Sequence, residues 1–206
     1  MIKVKICGLK KKEDVEFLNN FPVDYMGFIM YPKSPRYVNN ELKELLSLVK
    51  KAKKVVVFVN PSYEEVKNAL DLGADFIQLH GEETPEFGEK IGFKKIIKAF
   101  RVKENRIDFK ELSFWKNAYA ILLDTYVKGI LGGTGKTFNW DIAKRIVSSG
   151  YKVFLAGGID PDNVLNAVKE VSPYAIDIAS GVELYPGKKD PEKINRLFNS
   201  LKLISS

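Results

Sequence analysis

Eight short apolar runs recur along the chain, each followed by a segment of helical pattern, and this alternation restricts the fold more than any other feature of the sequence. The runs are Ile2–Ile6, Tyr25–Ile29, Val55–Val59, Phe76–Leu79, Ile96–Ala99, Ala120–Leu123, Val153–Leu155 and Ala175–Ile178. Most are rich in β-branched or aromatic residues and end at Gly, Pro, Asn or Asp, so they read as strands. Helical periodicity marks Glu13–Asn20, Glu41–Ala52, Tyr63–Leu72, Trp140–Ser148, Asp162–Val171 and Pro191–Leu203, with weaker patterns near Pro85–Ile91 and Glu104–Leu112. Strands separated by crossover helices run parallel. A run such as VVVFV is apolar on both faces, as a strand covered on both sides requires. Eight βα units predict an α/β fold, a closed (β/α)₈ TIM barrel, and 206 residues is the compact end of its range. An open doubly wound sheet is the rival. No Pro/Gly/Ser-rich linker divides the chain, so residues 1–206 are read as a single barrel domain.

Charge and cysteine usage narrow the function classes. The net charge is +7, which suits either nucleic acid or an anionic small molecule. The lysines are scattered beside glutamates, as in ELKELLSLVKKAKK, without interleaved aromatics, so no nucleic-acid partner is expected. No run of about 18 apolar residues is present, so no membrane span is expected. The opening MIKVKICGLK has no apolar core of a signal peptide. The single cysteine excludes an internal disulfide and fits a reducing, cytoplasmic setting.

Barrels of this kind build their sites at the C-terminal strand ends. There the sequence places Cys7-Gly8, a loop holding Arg36, Asn60-Pro61, His80-Gly81-Glu82, Asp124-Thr125, Gly157-Gly158 and Ser180-Gly181. A thiol, a carboxylate, an arginine fork, an imidazole and two glycine turns thus converge on one rim. Gly157 and Gly158 precede a helix that Asp160-Pro161 opens, and free amides at such a start attract phosphate. Ser180-Gly181 adds a hydroxyl and further donors. Each feature has a plain structural alternative: Cys7 as a small buried hydrophobe, Asp124 as a cap, His80 as a hydrogen-bonded packing residue, Arg36 in a surface salt bridge. His80 has no second His or Cys beside it, so no metal site is expected. Gly135-Lys136-Thr137 imitates the end of a Walker A loop, but the pattern requires glycine where Ile130 stands. Tyr126–Phe138 reads either as a glycine-hinged lid or as an ordinary disordered loop.

Taken in order, KICG, FIMYPKSPRYV, QLHGEE, LLDT, GGTGKTFNW, LAGGIDPDNV, DIASGVE and PGKKD resemble the phosphoribosylanthranilate isomerase family of tryptophan biosynthesis across essentially the whole chain. The resemblance implies an Amadori rearrangement of N-(5-phosphoribosyl)anthranilate, without metal or cofactor. It implies Asp124 as general acid, Cys7 as base, Arg36 on the anthranilate carboxylate, and Gly157, Gly158, Ser180 and Gly181 on the phosphate. His80 is carried as site lining with no assigned chemistry. A synthase of the related indole-glycerol-phosphate class would need a catalytic lysine and a glutamate pair, and a histidine-pathway isomerase would need paired aspartates. Cys7 and Asp124 fit neither. A non-enzymatic basic binding module would not require polar groups to converge on one rim. Monomer and homodimer both stay open.

Strand alternation makes one more prediction. If Cys7 points inward, Lys5 shares its face, and Asp177 on the adjoining last strand also faces inward. A buried ammonium is very costly unless paired, so a Lys5–Asp177 ion pair is expected beneath the site. It serves structure alone or also draws Cys7 toward thiolate.

Overall fold

The computed structural model describes residues 2–102, 107–124 and 140–203. Eight parallel strands close on themselves: β1 (Lys3–Ile6), β2 (Tyr25–Ile29), β3 (Lys53–Phe58), β4 (Phe76–Leu79), β5 (Ile96–Arg101), β6 (Ala120–Asp124), β7 (Val153–Ala156) and β8 (Ala175–Ile178). The open-sheet rival is therefore excluded, since β1 pairs with β8 as well as with β2. The helices are α1 (Lys12–Leu18), α2 (Leu42–Leu48), α3 (Tyr63–Asp71), α4 (Pro85–Ile91), α5 (Phe109–Phe114), α6 (Asp141–Ser148), α7 (Val164–Val171) and α8 (Pro191–Lys202). A short antiparallel hairpin, β9 (Glu183–Tyr185) with β10 (Lys188–Lys189), sits between β8 and α8. No apolar alternation in residues 183–189 marks it beforehand. Among the described residues no helix is long and apolar enough to cross a membrane.

Local chemistry explains most element boundaries. Ser62 and Glu65 form a reciprocal capping box at α3, while Thr84, Asp108 and Asp190 cap α4, α5 and α8. Strand β3 starts at Lys53, earlier than apolarity suggests, because Lys53 and Lys54 pair with Tyr25 and Met26. Asp75 reinforces that start, bonding Lys53 Nζ and the Lys54 amide. Helix α2 stops at Leu48 rather than running to Ala52, because Val49 is already extended at ψ 120°. Helix α7 starts at Val164 rather than at Asp162. Asp160 Oδ1 instead accepts the amides of Asp162 and Asn163 in a preceding turn. Glu104, the expected start of α5, and the lid reading of Tyr126–Phe138 fall outside the described residues, as does the Gly135-Lys136-Thr137 imitation.

Two cores result. The larger lies between the strands' outer faces and the helices, and includes Val4, Ile6, Leu18, Leu45, Ile146, Leu155 and Leu197. The smaller fills the barrel with Tyr25, Val55, Ile97, Ala99, Ala120, Leu122, Phe154, Ala156 and Ala175. Phe76, Tyr119 and Tyr174 pack against its lower end, where the hydroxyls of Tyr25, Tyr119 and Tyr174 meet at 2.7–3.4 Å. The interior is thus plugged below, and only the upper rim is free to form a site.

Candidate active site

Cys7 follows the last residue of β1 and is buried, its amide bonding to the Ile178 carbonyl at 2.9 Å. The register sets it opposite Gly27 of β2. A Cβ on that glycine would lie 2.6 Å from the thiol sulfur. Gly27 was not singled out from the sequence, although a glycine inside an apolar strand signals a close approach. Gly8 is required twice over. Its φ is +76°, and a Cβ there would lie 2.5 Å from Arg36 Cδ. The arginine side chain therefore lies across the turn that carries the thiol.

Beneath the thiol, Lys5 is fully buried and its Nζ lies 2.9 Å from each Asp177 oxygen, as strand alternation predicts. Burial pushes Lys5 toward the neutral form, but Asp177 and Cys7 together outweigh it and the ammonium is held above its ordinary range. Lys5 does draw Cys7 toward thiolate, as expected, but burial outweighs it. Burial raises the thiol, Lys5 lowers it and Asp177 raises it again, and the net direction is upward. The resting cysteine is therefore a protonated thiol at neutral pH, with Lys5 as the largest opposing influence.

Arg36 is not free in solvent. Its Nε donates to Glu183 Oε1 at 2.9 Å and its Nη2 to Oε2 at 2.6 Å. The salt-bridge alternative is thus half right: the bridge exists, but to a buried carboxylate at the rim. Lys189, also buried, bonds Glu183 Oε1 at 3.0 Å, Cys7 O at 2.6 Å and Ala179 O at 3.1 Å. Neither Glu183 nor Lys189 was picked out from the sequence. Burial raises Glu183, but the Arg36 and Lys189 partners prevail and hold its carboxyl below the usual range.

Across the mouth, Asp124 ends β6, and His80 Nε2 lies 3.4 Å from its Oδ2. His80 Nδ1 meets Gln78 Nε2 at 3.3 Å, while the buried Gln78 Oε1 has no hydrogen-bond partner among the described residues. His80 thus lines the site in direct contact with the proposed acid. A cleft of about 660 Å³ opens beside it, lined by Asn60, Gly81, Arg101 and Glu111 among others.

Gly157 and Gly158 have φ of +89° and +69°, and the Asn163 side chain holds the Gly158 carbonyl at 2.7 Å. A Cβ on Gly181 would collide with the Ile159 carbonyl oxygen, so the turns after β7 and β8 touch backbone to backbone. Ser180 opens a 3₁₀ turn, Ser180–Val182, with its side chain exposed. Because α7 begins at Val164, the amides available here belong to these turns and not to a helix start. Among the described residues no cluster of three or more His, Cys, Asp or Glu is arranged to hold a metal.

Comparison with known proteins adds independent findings. A family model for N-(5′-phosphoribosyl)anthranilate (PRA) isomerase matches residues 4–200. The chain is 49% identical over 205 residues to N-(5′-phosphoribosyl)anthranilate isomerase of Aquifex aeolicus, covering 98% of this chain and 99% of that one. The crystal structure of phosphoribosyl anthranilate isomerase from Thermotoga maritima superposes with a TM-score of 0.87 at 36% identity, covering 98% and 99% of the two chains. A phosphoribosyl anthranilate isomerase in complex with reduced 1-(o-carboxyphenylamino)-1-deoxyribulose 5-phosphate superposes with a TM-score of 0.83 at 33% identity, again covering 98% and 99%.

Proposed function

This chain belongs to the N-(5′-phosphoribosyl)anthranilate isomerase family, and from that footing we propose how its rim performs the rearrangement of N-(5-phosphoribosyl)anthranilate in tryptophan biosynthesis. Asp124 gives a proton to the ribose ring oxygen. The C1–O bond breaks, and the anthranilate nitrogen's lone pair forms the C1=N iminium. That cation acidifies the C2 proton, which Cys7 removes as thiolate. The electrons of the C2–H bond move into C1=C2 and neutralise the nitrogen. The resulting enolamine takes a proton at C1 and gives up the proton of its C2 hydroxyl as C2=O forms, leaving the 2-ketone, 1-(2-carboxyphenylamino)-1-deoxyribulose 5-phosphate. The iminium is itself the electron sink, so the chemistry calls for neither metal nor cofactor.

The observation that carries this reading is the crossing of Arg36 over the Cys7–Gly8 turn. It sets a carboxylate-binding fork beside a buried thiol. Substrate carboxylate on that fork brings the sugar carbons over the sulfur, which is the positioning a proton transfer needs. The touching turns Gly157-Gly158 and Ser180-Gly181 support the phosphate at the other end. His80 supports Asp124 as site lining. The raised thiol makes deprotonation of Cys7 an event of the bound complex, where the developing iminium favours an anion nearby. A single cysteine with no disulfide partner supports a reducing, cytoplasmic setting.

The test is a fluorescence assay that follows consumption of phosphoribosylanthranilate. Cys7→Ser and Asp124→Asn are each expected to lower kcat by at least about 10²-fold, the ordinary scale for general acid–base groups. Near-normal turnover in either variant removes that residue from the mechanism.

A further inference from the structure

We infer that Glu183, fixed by the buried Lys189, is the positioning residue that aims Arg36 at the substrate's carboxylate and thereby sets specificity for a carboxylate at that place. The inference rests on the proposed role of Arg36. It starts from which guanidinium edge is already used. Glu183 takes Nε and Nη2, the inner edge of the fork. Nη1 makes no hydrogen bond among the described residues, and the side chain is 19% exposed at the rim. Only the outer edge, Nη1 with the second Nη2 proton, is left for a bidentate ligand. A carboxylate arriving there lies in the guanidinium plane, end-on, at an angle that Glu183 dictates.

The partner of Arg36 is itself immobile. Glu183 is 3% exposed, and besides Arg36 it accepts from Lys189 Nζ at 3.0 Å and from the Gly187 amide at 3.2 Å. All three ammonium protons of Lys189 have acceptors: Glu183 Oε1, Cys7 O and Ala179 O. The Lys189 amide bonds Asp14 Oδ2 at 2.8 Å, and Lys188 pairs with the other Asp14 oxygen. One hairpin therefore ties together the end of β1, the end of β8 and the Arg36 fork. Glu183 is the one carboxylate shared by two basic side chains, Arg36 and Lys189, and burial draws Lys189 below its ordinary range, so Arg36 carries the charge that a further anion would meet. A substrate carboxylate on the outer edge pairs with that charge, whereas a neutral amide or hydrogen at that position would not.

The assay is steady-state kinetics on Glu183→Gln, Arg36→Met and the double variant, with thermal unfolding recorded for each. Glu183→Gln keeps the size but turns an amide donor toward other donors. KM is expected to rise about tenfold to a hundredfold, the scale of a lost charged hydrogen bond, with a smaller change in kcat. In the Arg36→Met background the same change should add less than about threefold, because the two residues act as one unit. Glu183→Asp keeps the charge and serves if the glutamine variant does not fold. It should recover part of the KM loss. A KM that is unchanged or lowered in Glu183→Gln overturns the inference; a lowered value would mean that Glu183 competes with substrate for Arg36. Full additivity in the double variant also overturns it. An unchanged KM in Arg36→Met fails differently, since it removes the carboxylate reading of Arg36 itself.

Discussion

Removing the Asp177 carboxylate alone should destabilise the fold severely, and the loss should shrink as pH rises. Lys5 is fully buried and its Nζ sits 2.9 Å from both Asp177 oxygens, so Asp177→Asn leaves an ammonium inside the barrel without its counter-charge. Such orphaned charges cost on the order of 3–5 kcal/mol. An upper limit follows from letting the lysine shed its proton instead. Deprotonating a side chain of ordinary pKa about 10.4 at pH 7 costs about 3.4 × 1.36, or about 4.6 kcal/mol. In the variant the folded pKa of Lys5 lies below the unfolded one, so the unfolded chain binds more protons and stability rises with pH. The slope approaches about 1.4 kcal/mol per unit up to the ordinary lysine range. In the parent protein the same pKa is raised, so Lys5 contributes stability that is fully present below the ordinary lysine range and is lost as pH rises from there through its folded pKa. A penalty near 4 kcal/mol corresponds to a Tm drop of about 8–16 °C for a chain of this size. Urea unfolding at pH 7 and pH 9, each variant beside the parent, measures both quantities. Lys5→Met with Asp177→Leu, which removes both charges, should recover most of the stability. A loss below about 1 kcal/mol in Asp177→Asn, or one that does not diminish between pH 7 and pH 9, would refute the reasoning.

Four other outcomes follow from the site. Burial dominates the Cys7 thiol, so its alkylation by iodoacetamide should show a midpoint above the ordinary value of about 8.5, and Lys5→Met should move it further up; a midpoint below that value contradicts the burial argument. On the same basis the free enzyme's kcat/KM falls as pH drops through the thiol's range, because less of the base is available. Gly27→Ala places a methyl 2.6 Å from the sulfur and should lower kcat at least about tenfold by displacing it, and unaltered kcat would mean that the thiol is not held there. Crystals grown with phosphate should show the anion between Gly157-Gly158 and Ser180-Gly181. Gly181→Ala, which drives a methyl into the Ile159 carbonyl, should abolish that density, and an anion bound steadily elsewhere would count against the assignment.

What the sequence discloses, and what it hides, follows the range of the interactions involved. The barrel was legible because apolar runs and intervening helices are local patterns, repeated eight times. Lys5–Asp177 was legible although 172 positions separate the pair, because period-two alternation and barrel closure together fix both faces. The start of α7 was misplaced because Asp160 offers the backbone a local turn that competes with the helix. Glu183 and Lys189 escaped notice for a different reason. They lie on a hairpin of a few residues, and their partners, Arg36, Asp14 and Cys7, are some 150 to 180 positions away, with no periodicity to reveal the meeting.

That distribution of charge has a structural logic of its own. Among the described residues the buried polar ones are Lys5, Asp14, Gln78, Lys98, Asp177, Glu183 and Lys189. Apart from Gln78 and Lys98, they sit where β1 meets β8, on the hairpin that covers this seam, or, for Asp14, on α1 where it holds that hairpin. The seam joins the two ends of the chain, so loop-closure entropy opposes it more than any other strand pairing. Apolar strands alone would specify its register weakly, since a sliding hydrophobic face still buries much of its area. Buried charges specify it sharply: a slip of one residue would turn Lys5 toward the helices and strand Asp177 inside. The same slip would displace Cys7 from Gly27 and part Lys189 from the Cys7 and Ala179 carbonyls. The ion pairs that close the barrel are therefore the ones that set Cys7 and Arg36, the proposed base and carboxylate fork, in place, and accuracy of the last fold contact becomes accuracy of their positions.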